Sequence, residues 1–360
     1  MVASLNTRIN PTSAVSRVQM VAGHLGTARS VSSSVPMDHH VRLSVAEQDP
    51  SVAVLSFSRP PANAVSYPLV KALFATLSSV LSPQPHPLTP KQATSMGIKN
   101  HLNSTDLQSV RTLVLTSHTP GFFSAGIDIN VLVGPEPESG KGPVREEWLD
   151  FWDTARKCFA LLYNSTRIRT VAAINGFAPG MGCILSLGCQ DRIMATWENS
   201  KKQPTIGLNE VQIGLPVPLW LVDRFADVCG KLAADRHLPL GTLFTPDQAL
   251  AIGLVDHVVT IPMASVAQTN TTRTPLLDST IDYIQRDIYA KLPSIVSPVG
   301  EAAWQSHMYT LQRPRQIYME RFNAGREEDL ETCYQVMSSG PVQKALLATL
   351  KHLKKSDVDN

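Results

Sequence analysis

Residues 169–191, RTVAAINGFAPGMGCILSLGCQD, constrain the fold more than any other stretch. Val171, Ala172, Ala173 and Ile174 form an apolar run of strand length, and Asn175-Gly176 break it. Gly180-Met181-Gly182 follows, then a second apolar run to Gly188. Small residues there permit close backbone approach and leave N–H groups bare at the start of a helix. A helix start of this kind suits a developing negative charge. The same pattern also fits an ordinary strand–turn–helix that binds nothing.

The flanking segments extend an α/β pattern. Residues 51–60 (SVAVLSFSRP) and 110–117 (VRTLVLTS) read as strands rich in β-branched residues. Between them, residues 67–81 repeat Leu69, Val70, Leu73, Leu77 and Leu81 at helical spacing. Residues 82–105 begin with four prolines in nine positions and read as a long surface excursion. Residues 146–163 form a helix whose Trp148, Phe151, Trp152, Ala155, Phe159 and Leu162 point to core packing. Residues 191–195 read as a further strand and 217–234 as one amphipathic helix. Residues 245–259 read as a capped short helix, a Gly turn and a strand. Helical pieces dominate thereafter.

Composition narrows the function. A formal charge of +2 over 360 residues gives no surface for a polyanion, and no dense basic patch or RGG tract favours nucleic acid. No run of eighteen apolar residues spans a membrane. The five cysteines are scattered and odd in number, which favours free thiols over a disulfide framework. No CxxC or HExxH motif signals a metal. Residues 1–37 contain Arg8, Arg17 and Arg29 and no acid. That composition fits a mitochondrial transit peptide, and it also fits a plain disordered tail. Glu210 lies in an apolar, Gly- and Pro-punctuated segment, IGLNEVQIGLPVP. Either it faces solvent at a turn, or burial raises its pKa for a specific role.

Three segments together resemble the crotonase (enoyl-CoA hydratase/isomerase) superfamily. FSAGID at 123–128 is similar to its first oxyanion loop. AAINGFAPGMGCILSLGCQDRIMA at 172–195 is similar to the second loop and its helix. IGLNEVQIGLPVPLWLVDRF at 206–225 resembles the family's mitochondrial Δ3,Δ2-enoyl-CoA isomerase branch.

The resemblance implies an α/β spiral of repeated ββα units over 42–262, with a surface insertion at 82–105. It also implies a C-terminal helical region, 263–360, that builds a homotrimer or a dimer of trimers. It assigns the thioester oxygen to the backbone N–H groups of Ile127 and Met181. Ser124, Ala125, Gly126, Asp128, Gly180 and Gly182 are implied substrate-binding positions, with Asp128 capping the short helix after the first loop. Glu210 falls where the family keeps a catalytic carboxylate. Ile184 stands where hydratases carry their other glutamate, which favours isomerisation of 3-enoyl-CoA over hydration. Lys344 from a neighbouring subunit is a candidate for the CoA phosphates. No cofactor is implied beyond the CoA of the substrate, and no metal. The expected compartment is the mitochondrial matrix. Peroxisomes are the alternative, although the DVDN end lacks an SKL-like address. The competing functions are enoyl-CoA hydratase and a non-catalytic acyl-CoA- or RNA-binding homologue.

Overall fold

The computed structural model describes residues 40–266, 273–292 and 298–358. The N-terminal segment 1–37 lies outside these residues. The centre is a seven-stranded sheet with strand order β3-β1-β2-β4-β5-β7-β9. Its strands are β1 (Val41–Val45), β2 (Val52–Phe57), β3 (Ile98–Asn100), β4 (Thr112–Ser117), β5 (Arg169–Ile174), β7 (Asp191–Trp197) and β9 (His257–Ile261). β1 and β2 pair antiparallel, and every other neighbour pair is parallel. Parallel strands covered on both faces need continuous apolar sequence. β2 meets this condition, since all six of its residues are buried.

After each of four central strands the chain makes a short second extended segment and then turns helical. β6 (Ala178–Pro179) pairs with β8 (Ile206–Gly207) as a small separate sheet. Isolated bridges Val65–Ile127, Phe122–Phe177 and Ile206–Phe244 continue that second layer. The result is a stack of strand, short strand, helix, which is the ββα spiral. Its helical cover includes Tyr67–Leu81, Arg145–Tyr163 and Met181–Gly188. One apolar core lies under these helices, and a second lies on the opposite sheet face against Pro275–Tyr283, Trp304 and Met308.

Two segments differ from the sequence reading. Residues 82–105 are more than a surface excursion. The helix Pro90–Ser95, closed by a Thr89–Gln92 capping box, leads into β3, which extends the sheet edge parallel to β1. The single helix expected over 217–234 is split into Leu219–Cys229 and Lys231–His237 at Gly230, whose φ of +86° no helix accommodates.

The C-terminal helices fold back onto the spiral. Arg326–Met337 is tied down by Asp329, which pairs with the buried Arg156. Asp329 Oδ2 also accepts the indole N–H groups of Trp152 and Trp220, each at 3.2 Å. The Arg156 guanidinium lies 4.2 Å from the centre of the Phe322 ring. Gly340–Val358 is clasped by Gln343, whose Nε2 donates to Leu132 O and Met337 O at 3.0 and 2.7 Å. All five cysteines are free, and Cys158, Cys183 and Cys189 are buried.

Candidate active site

A cavity of about 410 Å³ opens between the two loops that the sequence singles out. The first loop is held by Asn63, which is fully buried at a φ of +54°. Asn63 Nδ2 donates to Phe57 O, Ser117 Oγ and Phe123 O. Its Oδ1 accepts from Arg59 N and Thr119 Oγ1. One amide thus binds the ends of β2 and β4 to the loop. Ser124 Oγ donates to Asn63 O and accepts from Gly126 N.

Ile127 lies in a parallel bridge with Val65. Val65 N donates to Gly126 O, and Asp128 N donates to Val65 O. The intervening Ile127 N–H is therefore turned away from that bridge. Asp128 caps the helix Ile129–Val133 by accepting from Asn130 N at 2.9 Å, and it pairs with Arg59 at 2.6 Å.

Met181 is the first residue of the helix Met181–Gly188, so its N–H has no intrahelical acceptor. Gly180 precedes it at a φ of +51°, and Gly126 has a φ of +98°. A Cβ on Gly126 would stand 4.0 Å from Met181 N, and one on Gly180 would stand 4.0 Å from Gly126 Cα. The two loops therefore approach through their glycines, which brings the Ile127 and Met181 amides to one place.

Glu210 opens a single 3-10 turn, Glu210–Ile213, and enters the same space. Its Oε1 would be 3.8 Å from a Cβ on Gly180. Glu210 is half-buried as a residue, but its Oε2 is sealed from solvent and has no hydrogen-bond partner among the described residues. Burial raises its carboxyl to about 7, only partly offset by its own backbone N–H. Of the carboxylates lining the cavity, Asp128 is committed to Arg59 and to its cap, whereas Glu210 is unpaired. Ile184 is buried and lines the cavity as well, so this wall is apolar where a second carboxylate would matter.

Ala125, Gly126, Ile127, Asp128, Gly180, Met181 and Glu210 thus line one cavity. Ser124 and Gly182 do not. Ser124 turns its side chain into the Asn63 network, and Gly182 packs 3.1 Å (from the position of a Cβ) against Ser124 O. These two residues pack within the loops behind the cavity wall. Lys344 is exposed on the last helix and is not part of the cavity wall of its own chain. The sequence reading gives no site role to Arg59, and it reads Asn63 only as a turn residue. It also missed the contributions of Cys333, Met337 and Leu346. The Pro61-Ala62-Asn63 turn carries a usable signal, because Asn tolerates positive φ. Trp148 and Trp152 belong to the core, as expected, and they line the cavity too.

Among the described residues no group of three or more His, Cys, Asp or Glu forms a metal site, and no helix is long and apolar enough to cross a membrane. What the cavity offers is two backbone N–H groups on closely approaching loops, free of helix and bridge acceptors, beside one carboxyl of raised pKa. That arrangement stabilises an oxyanion next to a carbon that exchanges a proton.

Comparison with known proteins agrees with this geometry. The family model described as enoyl-CoA hydratase/isomerase matches residues 91–290, more than half of the chain. Enoyl-CoA delta isomerase 1, mitochondrial, of Rattus norvegicus is 28% identical over 342 residues, covering 95% of this chain and 97% of the relative. Its Mus musculus counterpart is 31% identical, covering 69% and 73%. The crystal structure of human mitochondrial delta3-delta2-enoyl-CoA isomerase superposes with a TM-score of 0.64 at 27% identity, over 88% of this chain and 99% of that one.

Proposed function

Since the chain belongs to the enoyl-CoA hydratase/isomerase family, we propose that it moves the double bond of 3-cis- or 3-trans-enoyl-CoA to the 2-trans position, with Glu210 as its one acid/base group. The observation that carries this reading is the unpaired Glu210 beside Ile184 in a cavity with two converging amides. Isomerisation needs one group that removes a proton from C2 and returns it at C4. Hydration needs two groups to orient and protonate.

The steps follow from the site. The thioester oxygen accepts from the Ile127 and Met181 N–H groups. Glu210 Oε2 takes the C2 proton, and the electron pair of the broken C–H bond spreads through the double bond onto the oxygen and C4. Preorganised donors stabilise this dienolate, each by about 3 kcal/mol in the transition state. Glu210, now protonated, delivers the proton to C4, and the C2–C3 double bond results. A carboxyl near 7 suits both halves of the cycle at neutral pH, because it gives up its proton as readily as it takes one. The apolar wall around Ile184 keeps the abstracted proton from water.

The rat and mouse relatives are mitochondrial by name, and the matrix is the compartment this reading gives the chain. Fatty-acid β-oxidation is the process in which such an isomerase acts. The C-terminal helical region is the element that assembles a trimer in this reading. The test is direct. Purified protein is given a 3-enoyl-CoA, and formation of the 2-trans product is followed, with hydration of 2-trans-enoyl-CoA measured in parallel. Faster hydration than isomerisation would overturn the assignment in favour of a hydratase.

A further inference from the structure

The cavity has two unlike ends. Its rim is exposed at Pro60, Pro61, Asn130 and Pro216. Its inner part is walled by Met181, Ile184, Met337, Trp148 and Trp152, all buried. A CoA thioester must leave its charged half at the rim, because a buried phosphate without partners is prohibitively costly. The acyl tail therefore runs inward from Ile127 and Met181.

At the inner end the rings of Trp148 and Trp152 lie 6.2 Å apart and within 4° of parallel. Trp152 is not free to swing, whereas the Trp148 indole N–H is buried without a hydrogen-bond partner among the described residues and Trp148 is held by stacking on Trp152 and Phe151. Trp152 Nε1 donates to Asp329, and Asp329 is held in turn by Arg156 and by the Trp220 indole. Trp220 packs against Phe159 and Phe322, so the tether ends in a solid aromatic core. Rotating Trp152 aside would break a buried, charge-assisted bond and leave the carboxylate short of a donor.

We infer that this indole pair, anchored at Trp152 through Asp329, is a fixed end-wall that restricts the acyl group to short and medium chains. The inference rests on the acyl-CoA reading of the cavity. Trp152 is then a specificity-determining side chain, and Asp329 is a positioning residue that acts through it. The volume agrees. About 410 Å³ is near the small end of the roughly 300–1,000 Å³ of ligand pockets, and part of the pantetheine arm has to share it. While the tail fills the inner part, each added methylene should tighten binding about fourfold. Once the tail meets the indoles the gain must stop, because further methylenes have no dry surface left to cover.

The test is calorimetric titration of the full chain with saturated acyl-CoAs of increasing length, alongside kcat/KM on the matching 3-enoyl-CoAs. The wild-type protein should gain affinity about fourfold per methylene up to a break and then gain nothing. Trp152→Ala should move the break to longer chains in both series. Trp152→Phe keeps a ring in place and guards against a misfolded Ala variant, and it should leave the break where it was or shift it far less. Affinity that climbs steadily to the longest chain in the wild-type protein would overturn the inference. So would an Ala variant that loses affinity equally at every length with the break unmoved. The two readings fail separately: a break in saturated acyl-CoA binding without turnover of 3-enoyl-CoA sinks the isomerase and leaves the wall standing, whereas isomerisation without a break sinks the wall alone.

Discussion

Replacing Glu210 by Gln should stabilise the protein at alkaline pH while disabling it. The carboxyl sits at about 7 in the folded chain against an ordinary 4.5, because burial disfavours the anion. The folded state therefore keeps this proton to a higher pH than the unfolded chain does. The stability linked to it is fully present below about 4.5 and is lost as pH rises through about 7. The difference between about 7 and 4.5, at about 1.36 kcal/mol per pH unit, amounts to about 3 kcal/mol. Gln has no such proton. All other titrating groups are common to both proteins and cancel when the two are compared. The variant should thus gain about 3 kcal/mol on the wild-type protein between about pH 4.5 and about pH 8. Burying an amide with an unpartnered Nε2 adds a fixed cost of about 1–3 kcal/mol, which shifts the comparison without tilting it. The assay is denaturant unfolding of both proteins across that pH range. Parallel stability curves would refute the reasoning, since they would mean that Glu210 titrates alike folded and unfolded. Turnover on a 3-enoyl-CoA by the same variant should be at least about 10²-fold lower. In the wild-type protein kcat/KM should fall about tenfold per pH unit below about 7, where the base is protonated.

Ile184→Glu puts a second carboxyl into the cavity wall; hydration of 2-trans-enoyl-CoA should rise from its wild-type level, and an unchanged hydration rate would count against the part assigned to this position. Gly180→Ala forces a Cβ onto a φ of +51° and to within 3.8 Å of Glu210 Oε1, so turnover should drop by at least about tenfold, and near-normal rates would show that the loops tolerate separation. Asp329→Ala leaves Arg156, 2% exposed, without its counter-charge and should cost about 3–5 kcal/mol in chemical unfolding. A loss below about 1 kcal/mol, the range of surface pairs, would mean that the buried node does not hold the C-terminal helices.

Long periodic elements were open to reading from the sequence. The helix at 67–81 matches to the residue, because Leu and Val recur on one face and Pro68 marks its first turn. Both donor loops were legible through Gly126 and Gly180, whose positive φ angles are what a tight approach demands. Shorter features escaped. β3 has three residues, too few for any period to show, and its pairing joins Ile98 to Val41, far earlier in the chain. The split at Gly230 hid because Leu232, Ala233 and Ala234 continue the apolar letters in sequence, although Leu232 is 61% exposed in the fold. The cavity's far wall was illegible for another reason. Helical spacing says that Met337 and Leu346 are buried, but it does not say against what, and only the fold brings them beside Glu210. Asn63 is legible as a turn residue after Pro60-Pro61, but a single amide gives no periodic signal of the buried network it anchors.

The tether between Trp152 and Asp329 joins residues 177 positions apart, and this has a consequence during synthesis. A ribosome adding about 5–20 residues per second makes the wall long before its cover. For roughly 10–35 s the helix Arg145–Tyr163 has its partners Tyr67 and Trp220 but lacks the C-terminal cover that Asp329 and Phe322 bring to Trp152 and Phe159. Native closure has to wait for the final helices, so the emerging chain is a natural client for chaperones that mask aromatic surface. Termination between the last sheet strand, His257–Ile261, and Asp329 would leave Trp152 without its tether and the cavity without the wall of Cys333, Met337 and Leu346.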